Sequence, residues 1–227
     1  MRHITLFLLF IAPFISASTA EIKNHILRVA VLDTGLDLKD PRFSRVLCKT
    51  GHYDATGTGI DDRHGHGTHV AGLIKQHAGP PGAYCLIIVK YTDKDEENNV
   101  KNYLRAMRYI DRIRPDIVNL SGGGNNLISE EFEIIGNNQK TIFIVGAGNE
   151  GKDIKDYYFP ATFLYVYPNV MAVGAKDRKD SNFGKGVVME EGNLVYSTLP
   201  GGKYGKMSGS SMATAVTTGK AIYAKTH

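Results

Sequence analysis

Short, uninterrupted apolar runs alternate with segments of helical period along most of this chain, and that alternation leaves few folds open. The runs "RVAVL" (28–32), "CLIIVKY" (85–91), "DIVNL" (116–120), "TIFIV" (141–145) and "VMAVGA" (170–175) are β-prone at successive positions. "SRVLC" (44–48) is a weaker strand candidate. Between them lie helical patterns: "GTHVAGLIKQ" (67–76), a polar helix near 130–137, and a last helix in "SSMATAVTTGKAIYAK" (210–225). The clearest is "NVKNYLRAMRYIDRI" (99–113), which puts Val100, Tyr103, Leu104, Met107, Ile110 and Ile113 on one face before Pro115 closes it. Strands apolar on both sides are strands covered on both sides. The pattern therefore predicts an α/β fold in three layers, a mostly parallel β-sheet with helices on both faces.

The chain has 227 residues, 42% hydrophobic and 22% charged, which suits one well-packed domain. A net charge of +4 with no dense Lys/Arg block points away from nucleic acid as a partner. Residues 1–20 stand apart. Arg2 and His3 precede the apolar run "ITLFLLFIAPFIS", and "ASTA" follows. That is the layout of a secretory signal peptide cleaved after Ala20, which leaves 21–227 as the mature domain, secreted or periplasmic and without stable membrane association. A membrane anchor is the alternative, although the run is short and broken by Pro13. The two cysteines, Cys48 and Cys85, suit an exported chain as one disulfide, or persist as buried free thiols.

In such sheets function gathers at the carboxyl ends of strands. Asp33 follows the first run, "SGGG" (121–124) follows "DIVNL", and "GAGNEG" (146–151) follows "TIFIV". Glycines let backbone approach a ligand and free amides to face it. Beside these stands "DDRHGHGTHVAG" (61–72), with His64, His66 and His69 within six positions. An H-x-H-x-x-H pattern suits zinc, but the acidic residue expected beside the third histidine is Thr68 here. The other reading is a single general base. It needs an orienting carboxylate, which Asp33 offers, and a hydroxyl, which Ser211 offers where a Gly-Ser turn opens a helix. Asn149 adds an amide donor suited to a developing oxyanion.

With these residues in place, the chain resembles a subtilisin-like serine protease. The motifs are "VAVLDTGLD" (29–37), "HGTHVAG" (66–72), "VNLSGGG" (118–124), "VGAGNEG" (145–151), "YPNVMAVGA" (167–175) and "MSGSSMATA" (207–215). They run in the family's Asp, His, Ser order and span nearly the whole mature chain. The resemblance implies that Asp33 orients His66, and that His66 takes the proton of Ser211 and returns it to the leaving amine. It implies that Asn149 and the Ser211 amide hold the oxyanion. It also implies that Ser121, Gly122, Gly123 and Gly148 bind an extended polypeptide substrate as an added strand. His69 becomes a buried structural histidine and His64 a neighbour. No metal and no cofactor is implied. The family's sheet places the strand around Cys48 beside the strand starting at Cys85, so a disulfide between them is expected.

Four departures from the family pattern carry expectations. Asp33 lies 13 positions after Ala20 (33 − 20), which leaves no room for a folding propeptide; the chain is expected to fold unaided, to be helped in trans, or to be inactive. The serine motif has Ser210 where the family has Thr, and Ala215 where it has Pro. The chain stops 16 residues after Ser211 (227 − 211), a C-terminally shortened version of the fold that leaves "AIYA" (221–224) less covered. "HAGPPG" (77–82) is short and without acids, so the calcium site that many relatives build there is expected to be absent. Specificity stays open between Tyr157 or Tyr158 narrowing the primary pocket and Asp153 or Asp156 welcoming a basic residue. So does a catalytically inactive, peptide-binding relative.

Overall fold

β1 (Leu27–Asp33) sets the frame. Its side chains alternate between two faces, as a period of two requires: Val29 and Val31 join one hydrophobic core, Ala30 and Leu32 the other. In this computed structural model, which describes residues 25–93, 100–155 and 157–227, β1 lies inside a seven-stranded sheet. The order is β2 (Tyr53–Asp54), β3 (Tyr84–Lys90), β1, β4 (Ile117–Leu120), β5 (Ile142–Gly146), β6 (Val170–Lys176), β7 (Val188–Glu191). Every neighbouring pair in it is parallel. The expected signal peptide lies outside the described residues, as do Asn99 and Asp156.

Helices cover both faces, as the continuous apolar strands demand. α1 (His66–His77) and α4 (Ser210–Thr226) bury Val70, Leu73, Ile74, Met212 and Val216 with Val29, Val31, Ile88 and Ile144. α2 (Val100–Ile113) and α3 (Ser129–Asn137) bury Met107, Ile110 and Ile135 with Leu32, Val89, Leu120 and Val145 on the opposite face. The chain leaves β1 for β3 on one side and returns to β4 on the other. The crevice outside the carboxyl ends of β1 and β4 is therefore the switch point of the sheet, where open α/β folds bind ligands.

An antiparallel hairpin, β8 (Val195–Thr198) and β9 (Tyr204–Met207), lies against α1. Ser197 and Thr198 hydroxyls donate to the His69 and Thr68 carbonyls, both at 2.8 Å. The approach is close enough that a Cβ on Gly72 would fall 2.2 Å from Thr198 Oγ1.

The structure corrects two readings. Residues 44–48 do not form a strand. Asp40 accepts from the Arg42 amide and caps a 3-10 turn over Pro41–Phe43, and only Leu47 then bridges to Leu86. That single bridge still brings Cys48 against β3, and the Cys48–Cys85 disulfide forms with Cα atoms 4.8 Å apart. On α2, Val100, the first residue of the helix, is exposed rather than part of the buried face. Near the last residues, Ile222 is fully buried while Tyr223 is half exposed and stacks on His227.

Candidate active site

β1 ends in Asp33 because the apolar run ends there. The following turn, with Gly35 at φ +108°, sends the chain away from the sheet. Asp33 is buried, and its Oδ1 accepts from the Thr34 amide at 2.8 Å and from His66 Nδ1 at 2.6 Å. Nδ1 is thus the protonated nitrogen of a neutral His66, and Nε2 carries the lone pair. His66 is the first residue of α1 and keeps 23% of its side chain exposed. Burial pushes its pKa down, but the charge and hydrogen bond of Asp33, aided by the charge of Asp62, more than offset this. The result stands above the ordinary 6.5.

The position of α1 depends on a residue that sequence reasoning passed over. Asp62 is 6% exposed and accepts five hydrogen bonds. Oδ1 takes the Thr34 hydroxyl (2.8 Å), the His64 amide (3.0 Å) and the Gly65 amide (2.7 Å). Oδ2 takes the Thr68 amide (2.8 Å) and hydroxyl (2.7 Å). The Thr34 hydroxyl in turn accepts from the Gly67 amide at 2.9 Å. A carboxylate here meets the orphan amides and positive end of α1. The signal was available, since an acid just ahead of a helix start is a capping pattern. Gly67 completes the joint: a Cβ there would lie 2.2 Å from the Gly35 carbonyl oxygen.

The serine and asparagine meet at the start of α4. Ser210 N donates to Asn149 Oδ1 at 2.8 Å, which fixes the amide's oxygen and leaves its NH2 outward on an exposed residue. The Ser211 amide has no acceptor among the described residues, as expected for an orphan donor in a first helical turn. The Ser211 hydroxyl donates to the Ser121 carbonyl at 3.0 Å, and the Ser121 hydroxyl donates back to the Ser211 carbonyl at 3.2 Å. Asn119 Nδ2 holds the Ser121 hydroxyl (3.0 Å), and the Thr218 hydroxyl holds Asn119 Oδ1 (2.9 Å). Ser211 is not bonded to His66 in this arrangement.

The expected substrate-binding residues flank this point. Residues 121–123 follow β4 and precede the Gly124–Phe159 bridge, which takes both hydrogen bonds of Gly124. Gly148, at φ +100°, leaves β5 in a conformation that side chains avoid, and a Cβ there would lie 2.3 Å from Asn182 Nδ2. Between Gly123 and Gly148 stands the ring of Tyr158, 2.6 and 2.7 Å from the Cβ positions those glycines leave empty. Of the two tyrosines, Tyr158 is the one whose ring lies beside these glycines. Tyr157 turns outward, accepting from Asn125 Nδ2 at 3.0 Å, and Asp153 caps its own loop.

The histidines separate. His69 is fully buried, and its Nε2 faces the Val195 and Gly205 carbonyls at 3.1 and 3.2 Å. It must carry its proton there and offers that nitrogen to no metal; burial lowers its pKa and keeps it neutral. His64 is exposed, its ring edge-on to His66 at 6.2 Å.

A family model described as the subtilase family (peptidase S8) matches residues 24–227. The chain is 31% identical over 238 residues to the major intracellular serine protease of Bacillus subtilis (strain 168), covering 95% of this chain and 73% of that protein. It is 32% identical over 204 residues to the cell wall-associated protease of the same organism, covering 82% of this chain and 22% of that protein. The crystal structure of a cold adapted subtilisin-like serine proteinase shares the fold at a TM-score of 0.73 and 24% identity, over 86% of this chain and 74% of that one.

Proposed function

Because this chain belongs to the subtilase family, a family of serine-type peptidases, we propose that it is an endopeptidase whose triad is Asp33, His66 and Ser211. The observation that carries the reading is the 2.6 Å contact between a buried Asp33 and His66 Nδ1, which leaves Nε2 as a base at the strand-end crevice that also receives Ser211. Ser211 Oγ attacks the scissile carbonyl carbon, and its proton passes to His66 Nε2. The carbonyl electron pair becomes an oxyanion between Asn149 Nδ2 and the Ser211 amide. His66 then protonates the leaving amine, and water hydrolyses the acyl-enzyme by the same relay. An extended peptide lying along residues 121–123 donates its amide to the Ser121 carbonyl. That contact displaces the Ser211 hydroxyl from the same oxygen and releases it toward His66.

Export is part of the proposal. It rests on the signal-like residues 1–20 and on the Cys48–Cys85 disulfide, which persists in oxidising compartments. Among the described residues, no helix is long and apolar enough to cross a membrane.

A second reading follows from the Ser211–Ser121 bond: a relative that binds peptides with its serine permanently held away from the base. Labelling of the purified mature chain with a fluorophosphonate, beside Ser211→Ala and His66→Ala variants, decides between the two. Circular dichroism checks that all three are folded. Labelling of the wild type alone is the expected result; a folded wild type that resists the reagent refutes the peptidase reading.

A further inference from the structure

A cavity of about 630 Å³ opens beside Gly123 and Gly124, next to the edge proposed to hold the substrate backbone. Its walls are largely aromatic: Tyr91, Tyr103, Tyr158 and Phe159, with Ile128 on α3's approach. Asn125, Asn126 and Glu150 are exposed at its mouth. Glu131 of α3 also lines it, yet only 2% of that residue is exposed, so its carboxyl belongs to the closed end. Oε1 accepts from the Tyr103 hydroxyl. Oε2 accepts from none of the described residues. Oε2 is not among the buried side-chain atoms sealed without a partner, so it stays open to the cavity, where water or an incoming donor reaches it.

We propose that this cavity receives a basic side chain of the polypeptide substrate, Arg or Lys, and that Glu131 is the residue that selects it. The inference rests on the peptide cleft proposed above and names the side-chain class that cleft takes. An extended peptide on residues 121–123 directs alternate side chains to one side, and Gly124, whose Cβ position has nothing within 4 Å, leaves that edge of the cavity open. The methylene stem of Arg or Lys lies against the tyrosine and phenylalanine rings, whose faces also attract the cation. The cationic end reaches Glu131 and supplies the missing donor to Oε2, a charge-assisted bond in a site largely shielded from water. Glu150 adds a second negative charge at the mouth, held by the Asn149 amide at 2.9 Å and Asn182 Nδ2 at 2.6 Å. An acidic side chain meets two carboxyl groups, and a neutral polar one leaves the charge unpaired.

The pocket has a pH course. Burial raises Glu131 to about 7, with the Tyr103 hydrogen bond opposing the rise. Tyr91, Tyr103 and Tyr158 face the same space, and burial raises all three above the ordinary 10, so they stay neutral. Glu150 is at the mouth, and Glu130, next to Glu131 on α3, is engaged by Arg108 of α2. The preference for a cation therefore strengthens as pH rises through neutrality and Glu131 ionises.

The test uses pairs of fluorogenic peptides that differ only by Arg or its neutral near-isostere citrulline, placed in turn at each position ahead of the scissile bond. kcat/KM is measured on the wild type, on Glu131→Gln and on Tyr103→Phe. Binding of the same peptides to Ser211→Ala chains, with Glu131 present or replaced, is measured by fluorescence anisotropy. One position is expected to favour Arg by about tenfold to a hundredfold in the wild type. That ratio should fall to near unity in Glu131→Gln and survive in Tyr103→Phe, which keeps the ring and the carboxyl. A wild type that favours Arg nowhere, or a Glu131→Gln enzyme that keeps the preference, overturns the proposal. If no peptide is cut, the peptidase reading fails and anisotropy still decides: tighter Arg binding that needs Glu131 sustains the pocket, and equal binding ends it. Should Glu131→Gln not fold, the wild-type ratio between about pH 6 and 8 decides, since ionisation of Glu131 requires it to rise and a flat profile refutes it.

Discussion

Replacing Asp62 with asparagine isolates what holds the His66-bearing helix in place. The variant keeps size and shape but has one acceptor oxygen where the carboxylate has two. Set on the Oδ1 side, that oxygen still meets the Thr34 hydroxyl and the amides of His64 and Gly65. The NH2 then faces the Thr68 amide, a donor against a donor in a residue with no exposure. Flipping the group loses three donors instead of two, so the first orientation wins. One stranded buried amide costs about 1–3 kcal/mol. The three surviving bonds lose their charge assistance, and the positive end of α1 loses its anion, together about 1–2 kcal/mol. The sum is about 3 kcal/mol, large against a domain stability of roughly 5–15 kcal/mol but not enough to unfold it. Urea unfolding, with the disulfide intact, reads this as a lower midpoint at unchanged slope. A second readout is chemical: Asp62 helps to raise His66, so the acid limb of fluorophosphonate labelling should move to lower pH. A loss below about 0.5 kcal/mol would refute the reasoning, because it would mean that the five bonds are replaced by water at no cost.

Four further outcomes follow from the same geometry. Asp33→Asn should slow fluorophosphonate labelling by about 10³–10⁴ at neutral pH, because an amide no longer fixes the Nδ1–H tautomer. In the wild type, labelling should rise through a midpoint above 6.5 as His66 loses its proton; the stability that Asp33 gives a charged His66 is full below 6.5 and fades through that midpoint. Asn149→Ala should lower kcat by about 10²–10³ with little change in KM, checked by steady-state kinetics on one peptide. Reducing the Cys48–Cys85 disulfide, which closes a separation of 37 residues, should lower stability by up to about 4 kcal/mol, measured as a shift of the urea midpoint under reductant.

The central strands were legible because a run apolar at every position has few other places to go than a doubly covered sheet. Val29 to Leu32 needed no knowledge of neighbours to be read correctly. The β8–β9 hairpin was not read, because Tyr196 and Tyr204 stack in solvent and its alternation is brief. Its punctuation, Gly201 and Gly202 after Pro200, was the available cue. Residues 44–48 misled because the apolar run Val46, Leu47, Cys48 speaks for a strand while the Asp40–Pro41 turn upstream decides otherwise. At the site, Asp33, His66, Ser211 and Asn149 stood out because each ends a strand, opens a helix or lies on a glycine-rich loop just after a strand. Asp62 did not, since its five bonds join two separate stretches of chain, Thr34 and residues 64–68. Glu131 was hidden for a related reason: among Glu130, Glu131 and Glu133, only the position of Tyr103 on another helix tells which one turns inward.

The bond from Ser210 N to Asn149 Oδ1 has a mechanical consequence. The proposed nucleophile rides on α4, while the proposed oxyanion donor rides on the loop after β5, and a helix can slide over a sheet. Because the asparagine is tethered to the backbone one residue ahead of the serine, any such slide carries both groups together. The gap between attacking oxygen and stabilising amide is then an internal dimension of one small unit, insensitive to how the larger layers breathe. Thermal drift of the scaffold changes where the reaction happens by fractions of an ångström, but not the shape of the place in which it happens.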